Sequence, residues 1–236
     1  MDLSLFPKKI FDKKWNFIKI MNLYFLLEGE KTEVQLYPAW IKFLKPQLQQ
    51  VDFISQIDVN NFYIFSAGGI PSIYNHTVNA IKDINANPVF DKLVVCLDSE
   101  QMSVQDRIDE LNSFIEDSGV KLNNKCDIKY IVHNICIESW FLGNRKIVKR
   151  QPQSLALRQF LTFYNVITDD PELMQMLEGY RNNADFHYHY LREILKEHGL
   201  SYSKSRPKEV LEESFLKELL NRIEQTNHLS SFKNFI

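Results

Sequence analysis

Asp91–Glu100 reads DKLVVCLDSE, and the fold turns on how this stretch is read. From Leu93 to Leu97 the side chains are apolar without alternation, so a strand formed here must be covered on both faces. The run ends on Asp98. VQDRIDELNSFIEDSG, from Val104 to Gly119, then follows with the spacing of an amphipathic helix and a glycine stop. A doubly buried strand feeding a helix is the repeating unit of a parallel sheet.

The same unit recurs on either side. MNLYFLL (21–27) reads as a short buried strand, and TEVQLYPAWIKFLKPQL (32–48) carries helical spacing through Val34, Tyr37, Ile41 and Leu44. Thr32 stands where a helix cap is expected, and Pro38 falls in the early turns. NFYIFSAGG (61–69) is a strand ending in a glycine turn, followed by the helical IPSIYNHTVNAIKDI (70–84). CDIKYIVHN (126–134) gives a further strand running into CIESWFLGN. After NRKIVKRQPQ (144–153) no strand pattern returns, and the remainder reads as helices between polar turns. The expected class is α/β: a mostly parallel sheet with helices on both faces over 21–144, a basic arm over 1–20, and a helical extension over 145–236.

Bulk properties bound the function weakly. Hydrophobic content of 44% and charged content of 25% are ordinary for a globular chain of 236 residues. A formal charge of -2 means that only a local basic patch could engage nucleic acid. Cys96, Cys126 and Cys136 form no C-x-x-C pair, which argues for buried reduced thiols and a cytoplasmic protein. No run approaches the roughly 18 apolar residues of a membrane span, so no membrane partner is expected.

The acids are the informative residues. In a parallel sheet, ligands collect at the carboxyl ends of strands. Glu28 follows the first strand, Asp98 and Glu100 follow DKLVVCL, and Glu138 follows CDIKYIVHN. Should these strands lie side by side, the carboxylates converge and repel, and a hard divalent cation with oxygen preference, such as Mg²⁺, relieves the repulsion. Each acid also has a plain structural explanation: Glu28 as a turn residue, Glu33 as favourable first-turn charge, Asp98 as a helix cap, and Glu138 as a solvated side chain.

LLEGEKTE (26–33) with VVCLDSE (94–100) resembles the toprim signature, and it is nearest to the small nucleases of the OLD-like and RloB-like groups. IESWFLGN (137–144), YSKSRP (202–207) and LSSFKNFI (229–236) resemble later motifs of the same branch. The resemblance implies a toprim-type domain and a Mg²⁺-dependent endonuclease, with Mn²⁺ as an alternative, one or two ions, and a role in bacterial defence against phage. It implies that Glu28 is the general acid/base or a ligand to a second ion, and that Asp98 and Glu100 hold the metal, Glu100 standing where an aspartate is usual. Glu33 and Glu138 would complete the ligand shell, and Lys204 would stabilise transition-state charge. The implied partners are a nucleic-acid substrate and a co-encoded ATPase, with a homodimer also open.

Other features carry competing readings. Arg145, Lys146, Lys149 and Arg150, with Lys204 and Arg206, either line a phosphate groove or form a solvated basic linker. Trp140 either stacks a base or packs in the core, and Gly68–Gly69 either presents N–H groups to phosphate or makes a plain turn. RNNADFH (181–187) matches the loose R-N-x(4)-H pattern of metal-independent HEPN ribonucleases, centred on Arg181 and His187. A PD-(D/E)xK nuclease fails because Met102 occupies the required lysine position. A catalytically silent toprim module docked on an ATPase is the non-enzymatic alternative.

Overall fold

The computed structural model describes residues 21–236; the basic arm expected over 1–20 lies outside the described residues. The sheet holds β1 (Leu23–Leu27), β2 (Gln49–Val51), β3 (Asn61–Ser66), β4 (Lys92–Asp98) and β5 (Asp127–His133). Its order is β2-β3-β1-β4-β5, with every pairing parallel. The crossovers run through α1 (Glu33–Leu44), α2 (Ser72–Ala86) and α3 (Val104–Asp117). Beyond the sheet come α4 (Ile137–Phe141), α5 (Leu155–Phe163), α6 (Asn183–Lys196), α7 (Glu213–Gln225) and α8 (Ser230–Phe235). The α/β class read from the sequence is therefore the observed one.

One strand escaped the sequence reading. β2 is a three-residue edge strand whose Gln49 and Gln50 are exposed, so it has no apolar run to announce it. Its pairing to β3 supplies what its side chains do not.

Strand alternation divides the core into two layers. Leu23, Phe25 and Leu27 of β1, with Val94 and Cys96 of β4, face α1 and the C-terminal helices. Tyr24 and Leu26, with Leu93, Val95 and Leu97, face α2 and α3. The C-terminal helices share the first layer with the sheet. Trp40 of α1 stacks on Trp140 of α4 at 6.4 Å, and Phe232 of α8 packs edge-on against both. The Trp40 indole N–H donates to Val210 O (2.9 Å), and that of Trp140 donates to Ser231 Oγ (2.7 Å). Both polar handles are satisfied, so the two rings contribute their full apolar burial.

Arg222 of α7 is the second fastening. It is fully buried and donates to the carbonyls of Gly143 (3.0 Å), Val166 (2.8 Å) and Asp169 (2.6 Å). The three cysteines are free and buried, as expected. No helix among the described residues is long and apolar enough to cross a membrane.

Candidate active site

Register brings the acids together. β1 pairs with β4 so that Leu27 lies opposite Cys96, and β4 pairs with β5 so that Asp98 lies opposite His133. The residues closing β1, β4 and β5 thus end on one edge. Glu28 N–H continues the ladder to Cys96 O (2.9 Å), and its carboxylate Oε2 accepts from the Asp98 backbone N–H (2.8 Å). Glu33, buried in the first turn of α1, reaches back to accept from the Gly29 N–H. A Cβ at position 29 would collide with that carboxylate, which explains the glycine between the two acids.

His133, which the sequence reading passed over as part of a strand, joins the cluster. Its Nδ1 lies 2.7 Å from Asp98 Oδ1 and 3.7 Å from Glu33 Oε1, and its Nε2 lies 2.9 Å from the Tyr37 hydroxyl. With Nδ1–H donating to Asp98 and Tyr37 O–H donating to Nε2, every polar atom of this buried chain is satisfied. The signal available beforehand was a histidine closing a buried strand beside one that ends in aspartate. Ligand atoms of Glu33, Asp98 and His133 all fall within 4.8 Å of one another.

The electrostatics follow from this crowding. Burial, followed by the neighbouring Asp98 charge, pushes both the Glu28 and the Glu33 carboxyls up to about 8. Burial also raises Glu138, which is fully enclosed; its Oε1 accepts from Tyr202 (3.0 Å), while its Oε2 has no hydrogen-bond partner. The Glu28 and Glu33 carboxyls, which resist ionisation, form a cleft short of positive charge. An oxygen-rich donor set of this kind fits a hard divalent cation such as Mg²⁺ or Mn²⁺.

Lys204 arrives from far along the chain. Its ammonium stands 4.0 Å from Glu138 Oε1, and the Glu138 charge, then that of Asp98, raises its pKa. Thr32 does not cap α1, as the sequence suggested. Its hydroxyl donates instead to the Lys204 carbonyl (3.0 Å), which ties the Lys204 loop to the start of the helix. Glu28, Glu33, Asp98, Lys31 and Lys204 line a cleft of ≈ 230 Å³.

Several expected site residues lie elsewhere. Glu100 sits in a left-handed conformation (φ 56), which breaks the strand alternation that would have set it beside Asp98. Its carboxylate lies 3.7 Å from Arg107 of α3, which covers the opposite face of the sheet. Glu138 lies behind the cleft lining, where it holds Lys204.

The basic linker is engaged internally. Lys146 pairs with Glu218 at 2.8 Å, Arg145 lies 3.8 Å from the same acid, and Lys149 bonds to the Glu197 carbonyl. Arg150 and Arg206 are exposed and outside the cleft lining. Trp140 is core. The Gly69 N–H is taken by the Glu28 carbonyl (2.9 Å), so the Gly-Gly turn shapes the cleft and does not offer that donor to a phosphate.

His187 is fully buried between Ser139 Oγ (3.0 Å) and Met174 O (2.9 Å), and burial lowers its pKa to about 4. Arg181, its supposed partner, has an 86% exposed side chain bound to Asp185. A histidine enclosed in this way cannot reach a ribose hydroxyl. Compared with family models, curated proteins and solved structures, the chain gives no match, so the site is read from its own residues.

Proposed function

We propose that this chain is a metal-dependent phosphodiester hydrolase acting on nucleic acid, an endonuclease built on the Glu28, Glu33 and Asp98 cleft. The observation that carries the proposal is the convergence of three acids, from the ends of β1 and β4 and the start of α1, on one partly enclosed edge, with two of them pushed up to about 8. A structural role alone gives no reason for such a destabilising arrangement.

Glu33 and Asp98 would hold the cation, and His133 would fix the Asp98 carboxylate from behind through Nδ1. The cation would supply charge neutralisation at the phosphate and a water ionised near neutral pH. Glu28, facing the cleft with its pKa near neutrality, accepts or returns a proton at the attacking water or leaving oxygen. Lys204, kept protonated by Glu138, faces the negative charge that grows on the phosphate oxygens. Glu138 and Thr32 position Lys204 and touch no substrate themselves.

The test is incubation of purified protein with plasmid, single-stranded DNA and tRNA, in EDTA, Mg²⁺ and Mn²⁺, beside Asp98→Asn. Cleavage that requires the ion and disappears in the variant supports the proposal. EDTA-resistant cleavage sinks it in favour of metal-independent chemistry, and ion binding without cleavage of any substrate sinks it and leaves a silent module. A part in anti-phage defence beside an ATPase rests on the toprim resemblance alone.

A further inference from the structure

A second recess opens from the cleft. It has a volume of ≈ 650 Å³ and shares Lys31 and Lys204 with the acid-lined cleft. Its far wall is α6, as far as Arg192, and the turn before it, which contribute Arg181, Asp185, Tyr188 and Arg192. Lys31, Arg181, Arg192 and Lys204 set four positive charges against the single negative one of Asp185. Asp185 is spoken for: its carboxylate takes the Arg181 guanidinium at 2.9 Å and stands 3.8 Å from His189. The Arg181 pairing lies at the surface, where an ion pair is weak enough to open for a phosphate. Arg192 lies over the Tyr188 ring at 5.4 Å, a cation on an aromatic face.

From this we infer that the recess is the track for a single strand of nucleic acid leading to the cleft, with its phosphates on Arg181, Arg192 and Lys31. The inference rests on the nuclease reading of the cleft and names the path by which the substrate reaches it. Cationic residues interleaved with an aromatic ring are the chemistry of single-strand binding, in which backbone charge is matched and base order is ignored. The size of the recess agrees, since it lies within the range of pockets that enclose small flexible ligands, of order 300–1,000 Å³. Duplex DNA, stiff over about 150 base pairs, does not bend into such a space. Lys146 and Arg150, in the basic linker outside the recess, take no part.

The experiment measures binding by fluorescence anisotropy of labelled twelve-residue DNA and RNA single strands and of a duplex, from 50 to 200 mM salt in EDTA. The proteins compared are wild type, Arg181→Gln/Arg192→Gln and, as a charge-matched control, Lys146→Gln/Arg150→Gln. Ion-dependent cleavage by wild type is followed in parallel. We expect the recess variant to bind single strands about tenfold more weakly, with a salt slope shallower by about 1.4, and the control to match wild type. The DNA and RNA arms show which strand the track prefers. Equal binding by wild type and the recess variant, a larger loss in the control, or preference for duplex overturns the track. When wild type still cleaves, that failure leaves the nuclease reading standing; when wild type neither cleaves nor binds any strand, both fall.

Discussion

Glu33→Gln isolates the charge of the most deeply buried acid in the cleft while keeping its shape and its oxygen acceptor for Gly29. A carboxyl with a higher pKa in the folded than in the unfolded chain holds more protons when folded, so stability falls as pH rises between the two values. For Glu33 that window runs from 4.5 to about 8. At 1.36 kcal/mol per pH unit, the penalty in the metal-free protein is about 3 kcal/mol at pH 7 and rises to about 5 kcal/mol above pH 8. Glutamine has no charge to bury, so the variant escapes the penalty. Its melting temperature should match wild type near pH 4.5 and exceed it at pH 7 by about 6–12 °C.

The assay is scanning calorimetry in EDTA from pH 4.5 to 8.5, repeated with Mn²⁺, which should stabilise wild type and leave the variant nearly unmoved. A variant that melts at or below wild type at pH 8, with a parallel pH profile, would refute the reasoning. It would mean that Glu33 is a satisfied structural acid.

Glu28→Ala should abolish ion-dependent cleavage with the melting temperature unchanged or slightly raised, because stranding the Asp98 N–H offsets the charge relieved; a large fall in stability with activity retained would make Glu28 structural. Lys204→Ala should lower turnover by about 10²-fold and substrate affinity far less, and an unchanged turnover would remove Lys204 from the mechanism. Mn²⁺ affinity should rise from pH 6 to 8 with release of a proton, because Glu33 must ionise to bind it; calorimetry in buffers of different ionisation enthalpy reads this directly, and a flat profile would contradict the raised Glu33 pKa. Arg222→Leu should cost roughly 3 kcal/mol in urea unfolding by stranding the Gly143, Val166 and Asp169 carbonyls, whereas a loss below about 1 kcal/mol would deny the arginine its fastening role.

Much of the sheet could be read along the chain. β1 and β4 are runs of buried residues without alternation, and such runs have few destinations other than the middle of a parallel sheet. Glu28 and Asp98 follow from the same logic, because a residue that closes a central strand must stand on the carboxyl edge. These are local properties, fixed within a window of a few residues, and so the sequence alone determined them. β2 was invisible because an exposed three-residue edge is defined by its partner and not by its own side chains.

Tertiary structure decided the rest of the site. Glu100 left the cluster because one backbone angle turned positive, which no residue pattern around Asp98 required. His133 joined because β5 lies beside β4 in a register that pairs it with Asp98. Lys204, 172 residues beyond Thr32, is set in place by the Thr32 hydroxyl on its carbonyl and by Glu138 beside its ammonium. The basic linker was open between a phosphate groove and a solvated surface, and the fold sets Arg145 and Lys146 against Glu218 and Lys149 against the Glu197 carbonyl, acids and acceptors far along the chain. Strand identity is written in neighbouring side chains. Which charges meet depends on strand order, register and long-range closure, and these exist only once the chain has folded.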